Sequence, residues 1–395
     1  MLRVGAACRA GYKAATDNRC GDSKQRPAHL ATQGAFEAPA AAHHNSGVAT
    51  SGAARSYENQ RQYVVEEKVV SKRMGIVFSG RCYSKARLDN KTAIITGANT
   101  GIGKETALDL ARRGATVVLA CRDEQKAETA AEDLRKRLQS CEGAGQVHVQ
   151  RLDLASLTSV RACARRLLEQ HPKIHLLINN AGIMACPHAV TEDGFEMQLG
   201  VNHLGHFLLT CLLLPRLRAS APARIVNVSS LAHLGGSIDF DDLMWEKSYN
   251  ATFAYARSKL ANILFTKELG KRLEVVRNPI GTGVTAYSLH PGVVATELSR
   301  HFDSAYFPGV TWLFNNMARF VIKSPEQGAQ TSIYCAVEES LSKETGLYYS
   351  DCQRRMPSRR ARDGETARRL WEESARLVGL KEWDPCTAPD GSQPF

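Results

Sequence analysis

This sequence predicts an α/β fold, one doubly wound parallel sheet with helices on both faces. Three observations carry the prediction. Apolar strand candidates alternate with helical stretches from Lys91 to about Ser350, the pattern of repeated βα units. The strands are short continuous apolar runs, such as Leu176-Leu177-Ile178, as expected of a sheet covered on both faces. A glycine-rich turn follows the first strand directly, where such sheets bind phosphate.

Taken in chain order, residues 1–80 are rich in Ala, Gly, Ser and His with little apolar periodicity, and read as a disordered extension. Its opening, with Arg3, Arg9, Lys13 and Arg19 before much acid, has the flavour of a targeting segment; an arbitrary flexible extension explains it equally well. Strands are expected at Thr92–Thr96, Thr116–Ala120, Val147–Asp153, Leu176–Asn179, Arg224–Ser229 and Val284–Leu289. The apolar stretch Phe207 to Leu214 is too short to span a membrane and reads as a buried helix ending at Pro215. After Ser350 come an Arg-rich segment, an amphipathic helix near Glu365–Val378 and a flexible tail over 382–395. The expected catalytic domain therefore covers 81–381.

Composition narrows the classes. The chain has 395 residues, 43% hydrophobic and 23% charged, ample for a full core. Its net charge is +11, partly concentrated in Arg354, Arg355, Arg359, Arg360, Arg362, Arg368 and Arg369. No aromatic-basic alternation accompanies these arginines, so nucleic acid is not an expected partner; anionic lipid or cofactor phosphates are. The 11 cysteines are scattered and form no CxxC pair, which argues against a disulfide framework and against a bound metal.

The turn after the first strand reads Thr96-Gly97-Ala98-Asn99-Thr100-Gly101-Ile102-Gly103, and a helix runs from it to Arg113 and Gly114. Glycines there let backbone N–H groups approach a pyrophosphate, and the helix N-terminus adds a positive field. A Walker A loop is excluded by Ala98 and by Glu105 after Lys104. The sheet is thus expected to be Rossmann-type, with Gly97, Asn99, Thr100, Gly101, Ile102 and Gly103 at a dinucleotide. The second strand ends in Ala120-Cys121-Arg122 rather than in an acid that would take a ribose 2′-hydroxyl. Arg122 can pair with a 2′-phosphate, which favours NADP(H), although it also reads as a solvated arginine at a helix start. Asp123 reads as a helix cap. Asp153 can accept from an adenine amino group or act as a cap.

Tyr255 and Lys259 lie four apart in a helical stretch after the fifth strand, hence on one face. A tyrosine hydroxyl is a weak acid, and a nearby ammonium lowers its pKa. Ser230, at the end of the fifth strand, can hydrogen-bond a substrate oxygen in the crevice. Asn179-Asn180-Ala181-Gly182 form a small polar turn suited to close approach to the cofactor. Asn202 can hold a water, or be a buried asparagine satisfied by backbone.

These motifs together resemble the short-chain dehydrogenase/reductase family: TGANTGIG at Thr96–Gly103, NNAG at Asn179–Gly182, VNHLGH around Asn202, NVSS ending at Ser230, YARSK at Tyr255–Lys259 and HPGVVATEL from His290. The stretches CPHAVTEDGFEMQLGVNHLGHFLLT and SSLAHLGGSIDFDDLMW more narrowly resemble its retinol dehydrogenase subgroup, over about Gly80 to Leu380. The resemblance implies that Tyr255 exchanges a proton with the carbonyl oxygen and that Lys259 binds the nicotinamide ribose and depresses the Tyr255 pKa. It implies that Ser230 orients the carbonyl and that Asn202 supports a water relay. Asn180, Ala181, Gly182, Pro291, Gly292 and Thr296 would complete the cofactor site. The long interval between Ser230 and Tyr255 matches that subgroup's inserted loop.

The expected activity is NADP(H)-dependent interconversion of a retinoid, all-trans-retinal and retinol, or a similar lipophilic aldehyde and its alcohol. A steroid or general carbonyl reductase is the alternative within enzymes, and a catalytically silent NADP-binding regulatory protein the alternative outside them. Apolar and aromatic residues over 305–322 suit a long apolar substrate, a bilayer interface, or a helix pair completing the core. Where relatives carry an apolar anchor, this chain has Glu66, Glu67, Lys68, Lys72 and Arg73, which leaves peripheral contact as the expected relation to a membrane. The resemblance implies a mitochondrial location, with the endoplasmic reticulum membrane and the cytoplasm as alternatives.

Overall fold

The computed structural model describes residues 79–275, 283–294 and 323–395. Strand β1 (Thr92–Thr96), helix α1 (Gly101–Arg112), β2 (Thr116–Cys121), α2 (Glu124–Leu138), β3 (Val147–Arg151), α3 (Leu157–Gln170) and β4 (Leu176–Asn179) form the first half. Helix α4 (Met197–Ala219), β5 (Ala223–Val228), α5 (Ala251–Val275), β6 (Val284–His290), α6 (Pro325–Val337), β7 (Leu347–Ser350), β8 (Gln353–Arg355) and α7 (Gly364–Leu377) follow. The eight strands are ordered β3-β2-β1-β4-β5-β6-β7-β8, all parallel except β8, which turns back antiparallel along β7. Strand order reverses between β1 and β4, so the crevice for a ligand opens at their carboxyl ends.

The doubly wound arrangement follows from side-chain alternation. Ile94, Val118, Leu177, Ile225 and Ala286 point to one face, where α3, α4 and α5 bury leucines and Phe265 against them. Ala93, Ile95, Val117, Leu119, Ile178 and Val226 point to the other, covered by α1, α2 and α6. Because both faces are dry, neither set could be polar, and the strands read as unbroken apolar runs.

Several sequence expectations are corrected. β3 ends at Arg151, not Asp153, because the Asp153 side chain turns the chain by accepting the Ala155 N–H at 3.0 Å. β5 spans Ala223–Val228, so Ser229 and Ser230 already lie beyond the sheet. β7 and β8 were not expected as strands: Gln353-Arg354-Arg355 carry no apolar pattern, and all three are exposed at the sheet edge.

Pro215 does not end its helix, which runs on to Ala219. Burial of Leu212, Leu213, Leu214 and Leu217 outweighs the one backbone hydrogen bond that proline removes. Among the described residues α4 is the one helix long and apolar enough to cross a membrane, yet 89% of that stretch is buried inside the fold. It is core. The stretch 382–395, read from the sequence as a flexible tail, packs on the domain. Cys386 is buried, Arg216 pairs with Asp390, Arg218 donates to the Ala388 carbonyl at 2.9 Å, and Arg165 stacks on the Phe395 ring. Trp371 of α7 lies against Phe207 and Phe265, with ring centroids 5.0 and 5.7 Å away, and so seals the α4–α5 side.

Candidate active site

At the reversal of strand order lies a cavity of ≈ 640 Å³ whose lining draws on the ends of β1, β2, β4, β5 and β6. Gly97, Asn99, Thr100, Gly101, Ile102 and Gly103 line one end of it, Arg122 and Asp153 its flank, and Asn180, Ala181 and Gly182 its floor. Ser230, Tyr255, Lys259, Pro291 and Gly292 line the other end. Asn202 lies just behind this wall, and Thr296 falls outside the described residues, as does the apolar stretch over 305–322.

The turn after β1 has the shape a pyrophosphate needs. Gly97 adopts φ 63°, and a Cβ there would meet the Ala181 Cα at 2.9 Å. Helix α1 begins at Gly101 without a side-chain cap on its N-terminus and without an acid in its first turn. By contrast α2 and α3 are capped by Asp123 and Ser156. The first amides of α1 are therefore left to face the cavity, with the helix field behind them.

The floor is tied to this turn by Thr96, which the sequence reading passed over. Its hydroxyl accepts from the backbone N–H groups of Asn180 and Ala181, both at 2.9 Å, and sits 2.8 Å from His206 Nε2. With two donors already on the oxygen, the hydroxyl proton goes to Nε2, so the imidazole carries its proton on Nδ1. Nδ1 then donates to the Asn202 carbonyl at 3.1 Å. Full burial pushes the His206 pKa down to about 3, so the ring is neutral. Asn180 Nδ2 closes the joint by donating to the Thr96 carbonyl at 2.8 Å.

Asn202 sits in a π-helical turn, Gly200–Leu204, inside α4. Its side chain accepts the Ile183 N–H and donates to the Ile183 carbonyl and to Ser258 Oγ, each at 2.9 Å. The amide is thus engaged by protein groups, the backbone-satisfied arrangement that the sequence left open beside the water-holding one. Gly182 separates this amide from Lys259: a Cβ on it would lie 3.3 Å from both Asn202 Oδ1 and Lys259 Nζ.

Tyr255 and Lys259 rise from the first turns of α5 and are both buried, 5% and 3% exposed. Lys259 Nζ donates to the Val228 carbonyl at 3.2 Å and lies 5.7 Å from the Tyr255 ring centre. Ser229 Oγ donates to the Lys259 carbonyl at 2.7 Å, locking α5 onto the end of β5. Ser230 Oγ accepts the Ala232 N–H at 3.2 Å and lies beside the Tyr255 hydroxyl. Burial moves the two titratable groups in opposite directions. It pushes Tyr255 up to about 12, opposed in part by the Ser230 hydroxyl, and pulls Lys259 down to about 8. The direction is opposite to the sequence expectation of a depressed tyrosine, because desolvation of the phenolate is the largest influence on it. A lysine at about 8 still carries its charge at neutral pH.

At the flank Asp123 caps α2 by accepting the Lys126 N–H at 3.0 Å, with Lys126 Nζ 3.6 Å from its other oxygen. Arg122 is exposed, and among the described residues it has no hydrogen bond or ion pair. Asp153 keeps one carboxylate oxygen on the Ala155 N–H. The lining also includes the apolar side chains Met184, Met197, Val201, Leu231 and Val293. A cavity lined by a helix N-terminus, a buried Tyr–Lys pair and several apolar side chains can hold a dinucleotide beside an apolar substrate.

The comparisons with known proteins agree with this geometry. Residues 91–306 match the family model for short chain dehydrogenase. The human protein "Retinol dehydrogenase 13" is 53% identical over 313 residues, 77% of this chain and 89% of that one. Human "Retinol dehydrogenase 11" is 54% identical over 302 residues, 76% of this chain and 90% of that one. Among solved structures, an uncharacterized protein from Mycobacterium paratuberculosis superposes with TM-score 0.60 at 38% identity, over 76% of this chain and 98% of that one. The Pseudomonas aeruginosa RhlG/NADP active-site complex does so with TM-score 0.51 at 25% identity, over 66% and 94%. The chain belongs to the short-chain dehydrogenase/reductase family, oxidoreductases that work with a nicotinamide dinucleotide, and its relatives within that family include retinol dehydrogenases.

Proposed function

We propose that this protein interconverts all-trans-retinal and retinol, or a similar long apolar aldehyde and its alcohol, using NADP(H). The observation that carries the reading is the buried Tyr255–Lys259 pair lining one cavity with an uncapped helix N-terminus and a set of apolar side chains. The cofactor, when bound, supplies or takes the hydride. Tyr255 holds the proton that goes to the carbonyl oxygen in reduction and returns in oxidation. Ser230 Oγ, beside the Tyr255 hydroxyl, accepts or donates to that same oxygen and fixes its direction. Lys259, charged at neutral pH, favours the phenolate form at the moment the proton leaves and offers its remaining donors to a ribose.

Preference for NADP(H) rests on Arg122. The β2 end presents that exposed guanidinium with no described partner, while the adjacent acid, Asp123, is committed to capping α2. A 2′-phosphate would meet a fork of donors instead of a repelling carboxylate. The lining side chains Met184, Met197, Val201, Leu231 and Val293 and the retinol dehydrogenase relatives support an apolar substrate. Turnover of all-trans-retinal with NADPH, followed by loss of cofactor absorbance, tests the reading. Activity with NADPH well above that with NADH is expected. Turnover confined to steroid ketones would favour the general carbonyl reductase, and silence with every carbonyl despite cofactor binding would favour a regulatory protein.

The basic opening of the chain and the resemblance to a mitochondrial relative support placement in the mitochondrion, in peripheral contact with its membranes. Fractionation with N-terminal sequencing of the mature chain tests this; recovery in the endoplasmic reticulum or the cytosol would refute it.

A further inference from the structure

The turn Pro291–Gly292 lines the cavity at the Tyr255 end, and a closed circuit of side chains stands behind it. The Gly292 N–H donates to His290 Nδ1 at 3.0 Å. A backbone amide can only donate, so Nδ1 is bare and the imidazole proton sits on Nε2. From there it points at Ser350 Oγ, 2.9 Å away across the β6–β7 pair, where His290 and Ser350 are register partners. The Ser350 hydroxyl donates in turn to Asp351 Oδ2 at 3.2 Å, and Asp351 Oδ1 accepts from Lys323 Nζ at 2.5 Å. Lys323 returns to the start. Its backbone N–H donates to the Val293 carbonyl at 2.8 Å, and its methylenes lie so close that a Cβ on Gly292 would meet them at 2.8 Å.

Two features set this circuit apart from an ordinary surface network. Lys323 is 7% exposed, so its charge needs Asp351. Asp351 and Cys352 form the two-residue β7–β8 turn with φ of 52° and 54°, a left-handed conformation that glycine or asparagine would adopt more readily. That strain aims the Asp351 carboxylate inward at Lys323 and Ser350.

We propose that the His290–Ser350–Asp351–Lys323 circuit is a positioning device for the cofactor-facing Pro291–Gly292 turn, and that it works only while His290 is neutral. A protonated ring would present N–H to N–H at Gly292 and push the turn out of place. The groups that face His290 are Asp351, which favours its protonation, and Lys323 and His233, which oppose it; the Tyr348 ring stacks on it with centroids 6.2 Å apart. Burial is the largest of these influences and, with Lys323 and His233, holds the His290 pKa below that of a free imidazole.

The inference rests on the reading of the cavity as an NADP(H) site, and the test separates the two. NADPH affinity is measured by fluorescence at pH 7.5 and pH 5.5 for the full chain, His290→Asn, His290→Leu and Asp351→Asn, with thermal midpoints alongside. Asparagine keeps an oxygen where Nδ1 stood but cannot take a proton. His290→Asn keeps an acceptor for the Gly292 N–H but loses the Nε2–Ser350 link, so it should bind about fivefold more weakly than the parent at pH 7.5 and weaken about fivefold less than the parent on acidification. The difference between the two proteins is the readout, because the 2′-phosphate itself takes up a proton near pH 6. His290→Leu should bind about tenfold more weakly at both pH values, and Asp351→Asn about fivefold more weakly at pH 7.5. A parent and His290→Asn that weaken in parallel, or a His290→Leu that binds within twofold of the parent, would overturn the circuit's role while leaving the cofactor reading intact. A parent that binds no NADPH would overturn both.

Discussion

Replacing Gly103 by alanine sets two physical effects against each other, and the structure decides between them. At an unconstrained helical position the change stabilises by about 0.5–1 kcal/mol, because alanine has less backbone freedom to lose. At Gly103 the new methyl would lie 2.5 Å from Asn180 Nδ2 and 2.6 Å from the Gly97 carbonyl oxygen. Neither neighbour is a loose end. Asn180 Nδ2 is held by the Thr96 carbonyl at 2.8 Å and the Gly97 carbonyl at 3.3 Å, and Gly97 is backbone. Overpacking of this kind costs about 1–3 kcal/mol, and weakening one of those hydrogen bonds about 1 kcal/mol more. The net expectation is a loss of roughly 1–3 kcal/mol, several degrees in thermal midpoint for a chain of this size. Because the clash pushes the phosphate turn away from the floor, NADPH affinity should fall by about 10- to 100-fold. Thermal melts with and without NADPH, together with a fluorescence titration, measure both quantities. A Gly103→Ala protein that melts higher than its parent and binds NADPH equally well would show that helix propensity alone governs this site.

Two further outcomes are expected. Arg122→Ala should raise the KM for NADPH about tenfold, the worth of one exposed charge-assisted contact, and leave the KM for NADH within twofold; equal effects on both cofactors in steady-state assays would remove the phosphate role. Lys259→Met should abolish turnover yet stabilise the fold at pH 7. The folded protein holds Lys259 at about 8, below its ordinary 10.5, so the buried charge costs on the order of 3 kcal/mol wherever both states are protonated. Stability of the parent therefore rises with pH from about 8 to 10.5, and the advantage of methionine should shrink over that window. Melts of the two proteins at pH 7 and pH 10.5 check this, and a constant difference would contradict it.

Much of this architecture is written locally. β1, β4 and β6 could be placed because strands dry on both faces need unbroken apolar residues, and the phosphate turn because only glycine fits at Gly97 and Gly103. What escaped depends on partners far away in the chain. β8 is a strand only because β7 offers it an edge, and nothing in Gln353-Arg354-Arg355 records that. Thr96 and His206 act through a contact between residues 110 positions apart, so neither has a local signature. For Asn202 the sequence left a water-holding and a protein-satisfied amide open; the partners that engage it, Ile183 and Ser258, are 19 and 56 positions away. The Tyr255 pKa was expected to fall, since sequence shows the neighbouring lysine but not the depth of burial that raises it. Residues 382–395 look like a tail in composition, yet Arg161, Arg216 and Arg218 on α3 and α4 hold them down.

The proton-handling role of Tyr255 is tested most directly by removing one oxygen atom. Tyr255→Phe keeps the ring that packs beside Lys259 and deletes only the hydroxyl next to Ser230. Single-turnover reduction of all-trans-retinal by the NADPH-loaded protein should slow by about 10²–10⁴-fold, the range for losing a positioned general acid, with NADPH affinity within about threefold of the parent. A Tyr255→Phe protein that reduces retinal at the parent's rate would contradict the assignment.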